Sequence, residues 1–207
     1  MLQKLIVFVE EESMKVALEV LLPKILGTIE FQIIRFQCKD ELLKNAPDRL
    51  RGYAKWLPED YRILVVVDRD GDDCVQLKNK LESFAHSAGL RTKSAVDVGQ
   101  AFHVVNRIII EELESWFFGD WAAVQAAYPR VSASVPNRRG LRDPDAITGG
   151  TWEALERELK RAGYFETGLR KIQLARSVSE HMSIEQNRSR SFQAFVGAVR
   201  AAMVASV

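Results

Sequence analysis

The chain has 207 residues, 47% of them apolar and 28% charged, with a formal net charge of +1, which is enough material for a full core without covalent staples. Cys38 and Cys74 are its two cysteines. They have neither CxxC spacing nor a nearby histidine cluster, which argues against a zinc site or disulfide framework and reads as two reduced thiols. No apolar run approaches the ~20 residues of a membrane span, and acids follow the first one where a secretion signal would carry small residues, so a cytoplasmic setting without membrane contact is expected.

Leu5-Ile-Val-Phe-Val9 is a continuous apolar run ending in Glu10, Glu11 and Glu12, as expected of a strand buried on both faces of a parallel sheet. A helix should follow, with Ser13 as its cap and Val16, Ala17, Val20 and Leu21 at helical spacing before Pro23. Phe31 to Phe36 reads as a second strand, and Asp40 to Tyr53 as a helix that Pro47 interrupts. Ile63-Leu-Val-Val-Val67 is the strongest strand signal. It stops at Asp68-Arg-Asp-Gly-Asp-Asp73, beyond which Val75, Leu77, Leu81, Phe84 and Ala85 form an amphipathic helical pattern. Thr92 to Val98 and Val104 to Ile110 are two further strand candidates, the second leading into Glu111-Glu-Leu-Glu114 and an aromatic run, Trp116, Phe117 and Phe118, that with Trp121 reads as core. Strands alternating with helices predict an α/β fold with a mainly parallel sheet flanked by helices.

After residue 120 the pattern changes to short helices at 120–128, 151–162, 169–180 and 190–205, separated by a Pro- and Gly-containing loop over 132–150. The expected organisation is an α/β domain over 1–120 and a C-terminal helical extension over 121–207, packed on or over it. Carboxylates outnumber cations up to residue 129 and cations outnumber carboxylates beyond it. That division suits a metal site beside a phosphate-contacting surface, although ordinary surface scatter gives the same counts.

In an open parallel sheet, functional groups gather beyond the carboxyl ends of the strands. Three acidic clusters stand there: Glu10 to Glu12, Asp68 to Asp73, and Glu111 to Glu114. Brought together, such carboxylates repel and raise one another's pKa unless a cation sits among them. The donors are all oxygen, which points to Mg²⁺ or Mn²⁺ rather than zinc. Asp68 and Asp70 are the leading ligand pair, with Gly71 allowing a tight turn, and Glu10, Asp72, Glu111 and Glu114 complete the candidate metal set. The plain alternative is that Asp72 caps a helix and Glu11 and Glu12 face solvent. Arg138, Arg139, Arg142, Arg188 and Arg190 are candidates for phosphate contacts, or equally for ion pairs with the acidic edge. Lys171 would reach a scissile phosphate if the helical extension folds back. Asp143 and Asp145, flanking Pro144, should shape a turn.

An apolar strand ending in Glu10 and a later strand ending in Asp68-Arg-Asp70 resemble the Toprim domain of topoisomerases, primases and OLD-type nucleases. More closely, Val65 to Cys74, Glu111 to Asp120, Arg142-Asp-Pro-Asp145 and Asn187-Arg-Ser-Arg-Ser-Phe192 resemble the Toprim-like family of domains of unknown function DUF4276. The resemblance implies a Toprim fold in which Glu10 is the general acid or base and Asp68 and Asp70 hold Mg²⁺ during cleavage of a nucleic-acid phosphodiester. The chain departs from the Toprim pattern at Glu11, where Gly is usual, and at Met14, where a further acid is expected. OLD-type Toprim proteins work beside an ATPase, and no G-x-x-x-x-G-K-S/T run occurs here, so if the resemblance extends to a bacterial defence system, its nucleotide motor would be a separate chain. Two other functions compete: a non-catalytic Toprim-like module that binds an ATPase or nucleic acid, and a haloacid-dehalogenase-like phosphatase, suggested by Asp68-Arg-Asp-Gly71 but lacking that family's downstream Lys and paired Asp.

Overall fold

The computed structural model describes residues 1–204. Four strands, β1 (Lys4–Val9), β2 (Glu30–Arg35), β3 (Tyr61–Asp68) and β4 (Val104–Ile109), form one sheet in the order β2-β1-β3-β4. Every pairing is parallel. Successive side chains of a strand point to opposite faces, and the apolar strands divide accordingly. Leu5, Val7 and Val9 of β1 with Leu64 and Val66 of β3 enter one core. Ile6 and Phe8 with Ile63, Val65 and Val67 enter the other. The second core is closed by α2 (Lys39–Ala54), through Leu42, Ala46 and Leu50, and by α3 (Cys74–Ser87), through Leu77, Leu81 and Ala85.

The first core is larger. It holds α1 (Glu12–Leu26), the aromatic helix α4 (Glu114–Gly119) and helices from the back third: α5 (Trp121–Ala127), α6 (Thr151–Arg161), α7 (Lys171–His181) and α8 (Arg190–Val204). Trp116, Phe117 and Phe118 are fully buried there, and Trp116 packs edge-on to Phe192 of α8 at 5.0 Å. The predicted last helix runs to 205, a residue outside those described. No helix among the described residues is long and apolar enough to cross a membrane.

Several local expectations change. Helix α2 continues through Pro47. A mid-helix proline costs about 3 kcal/mol in isolation, and burial of Leu42, Ala46 and Leu50 on the sheet outweighs it. Helix α1 passes Pro23 and ends at Leu26. Its N-cap position is Glu11, and Ser13, already inside the helix, donates its hydroxyl to the Glu11 carboxylate. Residues 92–98 contain no strand; Lys93–Ala95 is a single 3₁₀ turn, and pairing with β4 is limited to one bridge from Thr92 to Val104. The polar run Lys93-Ser94 and Asp97 supplies too little apolar surface to extend it. Asp73, not Asp72, caps α3, its side chain accepting from the amide of Gln76 at 2.8 Å.

The motif at 187–192 ties α8 to α4. Asn187 donates to the Trp116 carbonyl at 2.8 Å, and the Arg188 amide donates to the Gly119 carbonyl at 2.9 Å. Asp145, beyond the turn made by Asp143, accepts from the hydroxyls of Ser189 and Ser191 and from the Arg190 amide. A Cβ on Gly119 would run into the Asn187 side chain and into the Ser189 amide nitrogen at 2.8 Å. Because backbone cannot rotate away, Gly119→Ala should destabilise the protein by about 1–3 kcal/mol, read as a lower urea midpoint at unchanged slope.

Candidate metal centre

The chain leaves β1 for β2 on one side and then returns across β1 to build β3 and β4 on the other. Helix α1 covers one face and helices α2 and α3 the opposite face. The strand order therefore switches between β1 and β3, and at such a switch the two outgoing connections diverge and leave a crevice beyond the carboxyl ends. Glu10 and Asp68 stand on its two sides. The crevice opens into a cavity of ≈ 460 Å³.

Glu10 is the residue after β1 and Asp68 the last residue of β3. Glu10 Oε1 accepts a hydrogen bond from the Asp68 amide at 2.7 Å, locking the two strand ends together. Glu10 Oε2 and Asp68 Oδ1 are buried and have no hydrogen-bond partner. Burial raises the pKa of Glu10 to about 7, against the lowering effects of the Asp68 amide and the Lys39 charge. Asp68 is held well above the carboxylate range by burial first and then by the neighbouring charges of Glu10 and Glu114.

Asp70 lies at the tip of the following turn and is half-exposed. The left-handed residue of that turn is Asp70 itself, at φ 48°; Gly71 is not among the residues with positive φ. The Asp70 amide donates to the carbonyl of Glu111, also left-handed at φ 64°. Two non-glycine residues in this region carry strain of order 1–3 kcal/mol each. They bring the tips beyond β3 and β4 together, and Arg69 pairs with the Glu111 carboxylate across them. Glu111 is thereby turned into an ion pair and is not part of the cavity wall.

A residue that local sequence patterns did not flag completes the crevice. Lys39, the first residue of α2, places Nζ 2.6 Å from Asp70, 2.9 Å from Asp72 and 3.0 Å from the Arg69 carbonyl. Burial works against its charge, but the bonds to Asp70 and Asp72 prevail and raise its pKa. The only sequence signal is positional: α2 begins at the carboxyl end of β2, next to β1.

Lys171 lines the same cavity. Lys24, near the end of α1, donates to the carbonyls of Ser179, Glu180 and Met182 at 2.8–3.0 Å. It so satisfies the C-terminal carbonyls of α7. With its C-terminus anchored there, α7 directs its N-terminus, Lys171, toward the carboxyl edge of the sheet. The ammonium sits 5.0 Å over the Trp152 ring. Burial opposes its charge, but Glu114, Glu11, Glu112 and Asp68 outweigh this and raise its pKa. Glu112 faces the cavity and also binds the start of α6, accepting from the Thr151 amide and hydroxyl and the Trp152 amide at 2.9–3.0 Å. Glu114 is buried beneath, its pKa raised to about 7 by burial in spite of Lys171.

The remaining cationic candidates lie elsewhere. Arg138 pairs with Glu158 at 2.7 Å, and Arg142 donates to the Asn137 carbonyl at 3.0 Å. Arg190 faces Asp143 at 3.5 Å, and Arg188 is exposed. Arg139 is exposed beside Arg138. The structure thus brings Glu10, Asp68, Asp70, Asp72 and Lys171 to one cavity, adds Lys39, Asp40, Glu11 and Glu112, and leaves the arginines outside it.

Residues 9–200 match the family described as Domain of unknown function (DUF4276). The chain belongs to the DUF4276 family. Neither a curated protein nor a solved structure matches it. The match takes in every residue that forms the crevice of this DUF4276 protein, from Glu10 to Lys171.

Among the described residues, no group of three or more His, Cys, Asp or Glu side chains stands ready to enclose a metal ion. Magnesium does not require one, because it commonly takes one or two carboxylates and fills its sphere with water and substrate phosphate. Two buried, unpartnered carboxylate oxygens on adjacent strands suit that demand.

Acids whose folded pKa is raised make the folded state bind more protons than the unfolded state, so stability falls as pH rises between the two values. For Glu114 that window runs from 4.5 to about 7. Metal-free Glu114→Gln should therefore gain on the wild type between pH 5 and pH 8, by up to roughly 3 kcal/mol at about 1.4 kcal/mol per pK unit, measured by urea denaturation at the two pH values.

Proposed function

We propose that this crevice cleaves phosphodiester bonds in nucleic acid with Mg²⁺ or Mn²⁺ as cofactor, as the likeness of its strand-end acids to Toprim nucleases implies. The observation that carries the reading is the pair of buried, unpartnered oxygens, Glu10 Oε2 and Asp68 Oδ1, at the switch between β1 and β3. Seven carboxylates and two lysines line the cavity. A phosphate would be repelled from such a wall unless a divalent cation joined the two.

Asp68, with Glu10 beside it, would hold the cation, and Asp70 would join when Lys39 releases it. When bound, the ion lowers the pKa of a water molecule and offsets negative charge on the phosphate. Asp68 is fixed by the strand and by the Glu10 bond to its amide, so its carboxylate needs no rearrangement. Glu10 is within reach of the same crevice as a proton acceptor for an attacking water. Lys171, steadied over Trp152, would orient a non-bridging phosphate oxygen within the cavity.

Purified protein incubated with Mg²⁺ or Mn²⁺ and plasmid, single-stranded DNA or RNA should yield cut products, and Glu10→Gln or Asp68→Asn should each reduce the rate by roughly 10²-fold or more. Wild-type protein that binds no divalent cation in calorimetry at millimolar metal would sink the reading.

One observation favours a second reading. Lys39 already neutralises Asp70 and Asp72, as it would in a non-catalytic module that docks on a separate ATPase or on nucleic acid. Lys39→Met distinguishes the two. As a rival cation, its loss should tighten Mg²⁺ binding severalfold; as a purely structural counter-ion, its loss should lower the thermal midpoint and leave Mg²⁺ binding absent.

A further inference from the structure

We infer that a second, cationic site on α6 and the preceding loop grips the nucleic-acid backbone a few nucleotides from the crevice; this deepens the phosphodiester reading and rests on it. Arg138 and Arg139, from the loop after a short turn at Val135–Asn137, face Arg157 and Arg161 of α6 around a cavity of ≈ 300 Å³. Residues 157 and 161 are one turn apart and share a helix face.

Glu158 is the organising group. It is 5% exposed, and each of its oxygens accepts from a different guanidinium: Arg138 Nη1 at 2.7 Å and Arg161 Nη1 at 2.6 Å. One buried carboxylate thus holds two arginines in place. Arg139 and Arg157 have no ion-pair partner among the described residues, and both are exposed. Four guanidiniums against one carboxylate leave an excess of three positive charges. Self-repelling cations gathered at one cavity favour a polyanion, and guanidinium pairs bidentately with phosphate.

The placement favours a continuous strand over an isolated anion. Helix α6 starts at the metal crevice, where Glu112 binds its first amides and Trp152 supports Lys171. At about 1.5 Å per residue, Arg157 and Arg161 lie about 9 and 15 Å further along the axis from Thr151. At about 3.4 Å of axis per nucleotide, that is a reach of three to four nucleotides. A backbone entering the crevice past Lys171 would meet the arginines next.

The test is fluorescence anisotropy with labelled 30-nucleotide DNA and RNA, single- and double-stranded, in EDTA over a salt series. A four-nucleotide oligomer and a doubly phosphorylated peptide serve as competitors. Arg139→Ala/Arg157→Ala leaves both partners of Glu158 intact. It should weaken binding of a 30-mer about tenfold and flatten the log–log salt slope by about 1–2, the loss of two phosphate contacts. Arg139→Lys/Arg157→Lys should recover most of the slope. The same alanine variant should retain the wild-type calorimetric affinity for Mg²⁺, since it leaves the crevice untouched.

Unchanged affinity and slope in the alanine variant, or no binding of any 30-mer by the wild type, would overturn the proposal. So would competition by the phosphopeptide as strong as that by the 30-mer at equal phosphate, which would assign the site to a phosphorylated protein. Failure of the metal reading is separately visible, as absent Mg²⁺ binding with the salt slope intact.

Discussion

A side-chain hydrogen bond, from the Asp68 amide to Glu10 Oε1, ties together the carboxyl ends of the two paired strands between which the topology of this protein reverses. Beyond Val9 and Val66 the register of β1 and β3 has ended, and the Glu10 side chain takes the Asp68 amide in place of a backbone carbonyl. The bond uses one oxygen of Glu10 and leaves the other buried with nothing to accept from. Closing the sheet edge in this way therefore creates an unmet electrostatic demand at its centre. An apolar pair would hold the strands at less cost, because desolvated carboxylates lose several kcal/mol of hydration each. A bound cation, as proposed, would meet that demand.

The same demand organises the elements around it. Lys24 anchors the far end of α7, and Glu112 anchors the near end of α6. Between them these contacts deliver Trp152 and Lys171 to the crevice from positions 84 and 103 residues beyond Asp68 in the chain. Residues on either side of position 120 enter one apolar cluster with the sheet, so the helices that carry Lys171 cannot shift without disturbing the strands that carry Glu10 and Asp68. Packing energy is thereby spent on holding charged groups at fixed separation, a preorganisation that the proposed chemistry would use.

Much of this was legible in the sequence, for a physical reason. Leu5–Val9 and Ile63–Val67 are apolar on both faces because both faces are covered, and an acid that ends such a run must lie at the sheet edge. Position along the chain therefore located Glu10, Asp68 and Asp70. What could not be read locally was set by contacts between distant segments. Lys39 looks like any lysine opening a surface helix, and its role exists only because β2 pairs with β1. Glu111 and Glu112 look alike, yet a left-handed backbone at Glu111 turns one toward Arg69 while the other faces the cavity. Pro47 and the polar stretch after Thr92 failed as signals for the same reason: tertiary burial overrode propensity in the first, and its absence denied a strand in the second.

Asp68 and Asp70 are only two residues apart, yet the structure gives them opposite mechanical characters. Asp68 is buried and held by strand geometry. Asp70 is half-exposed on a left-handed tip, and its partner, Lys39, ends a side chain with four rotatable bonds. Lys39 is largely buried and Asp70 half-exposed, so solvent screens this pair mainly from the carboxylate side. The bond from the Asp70 amide to the Glu111 carbonyl holds this tip at the crevice independently of Lys39. Exchange of the lysine for the proposed metal would then require one side chain to swing away and no backbone to move, so Asp68 would supply rigidity and Asp70 access.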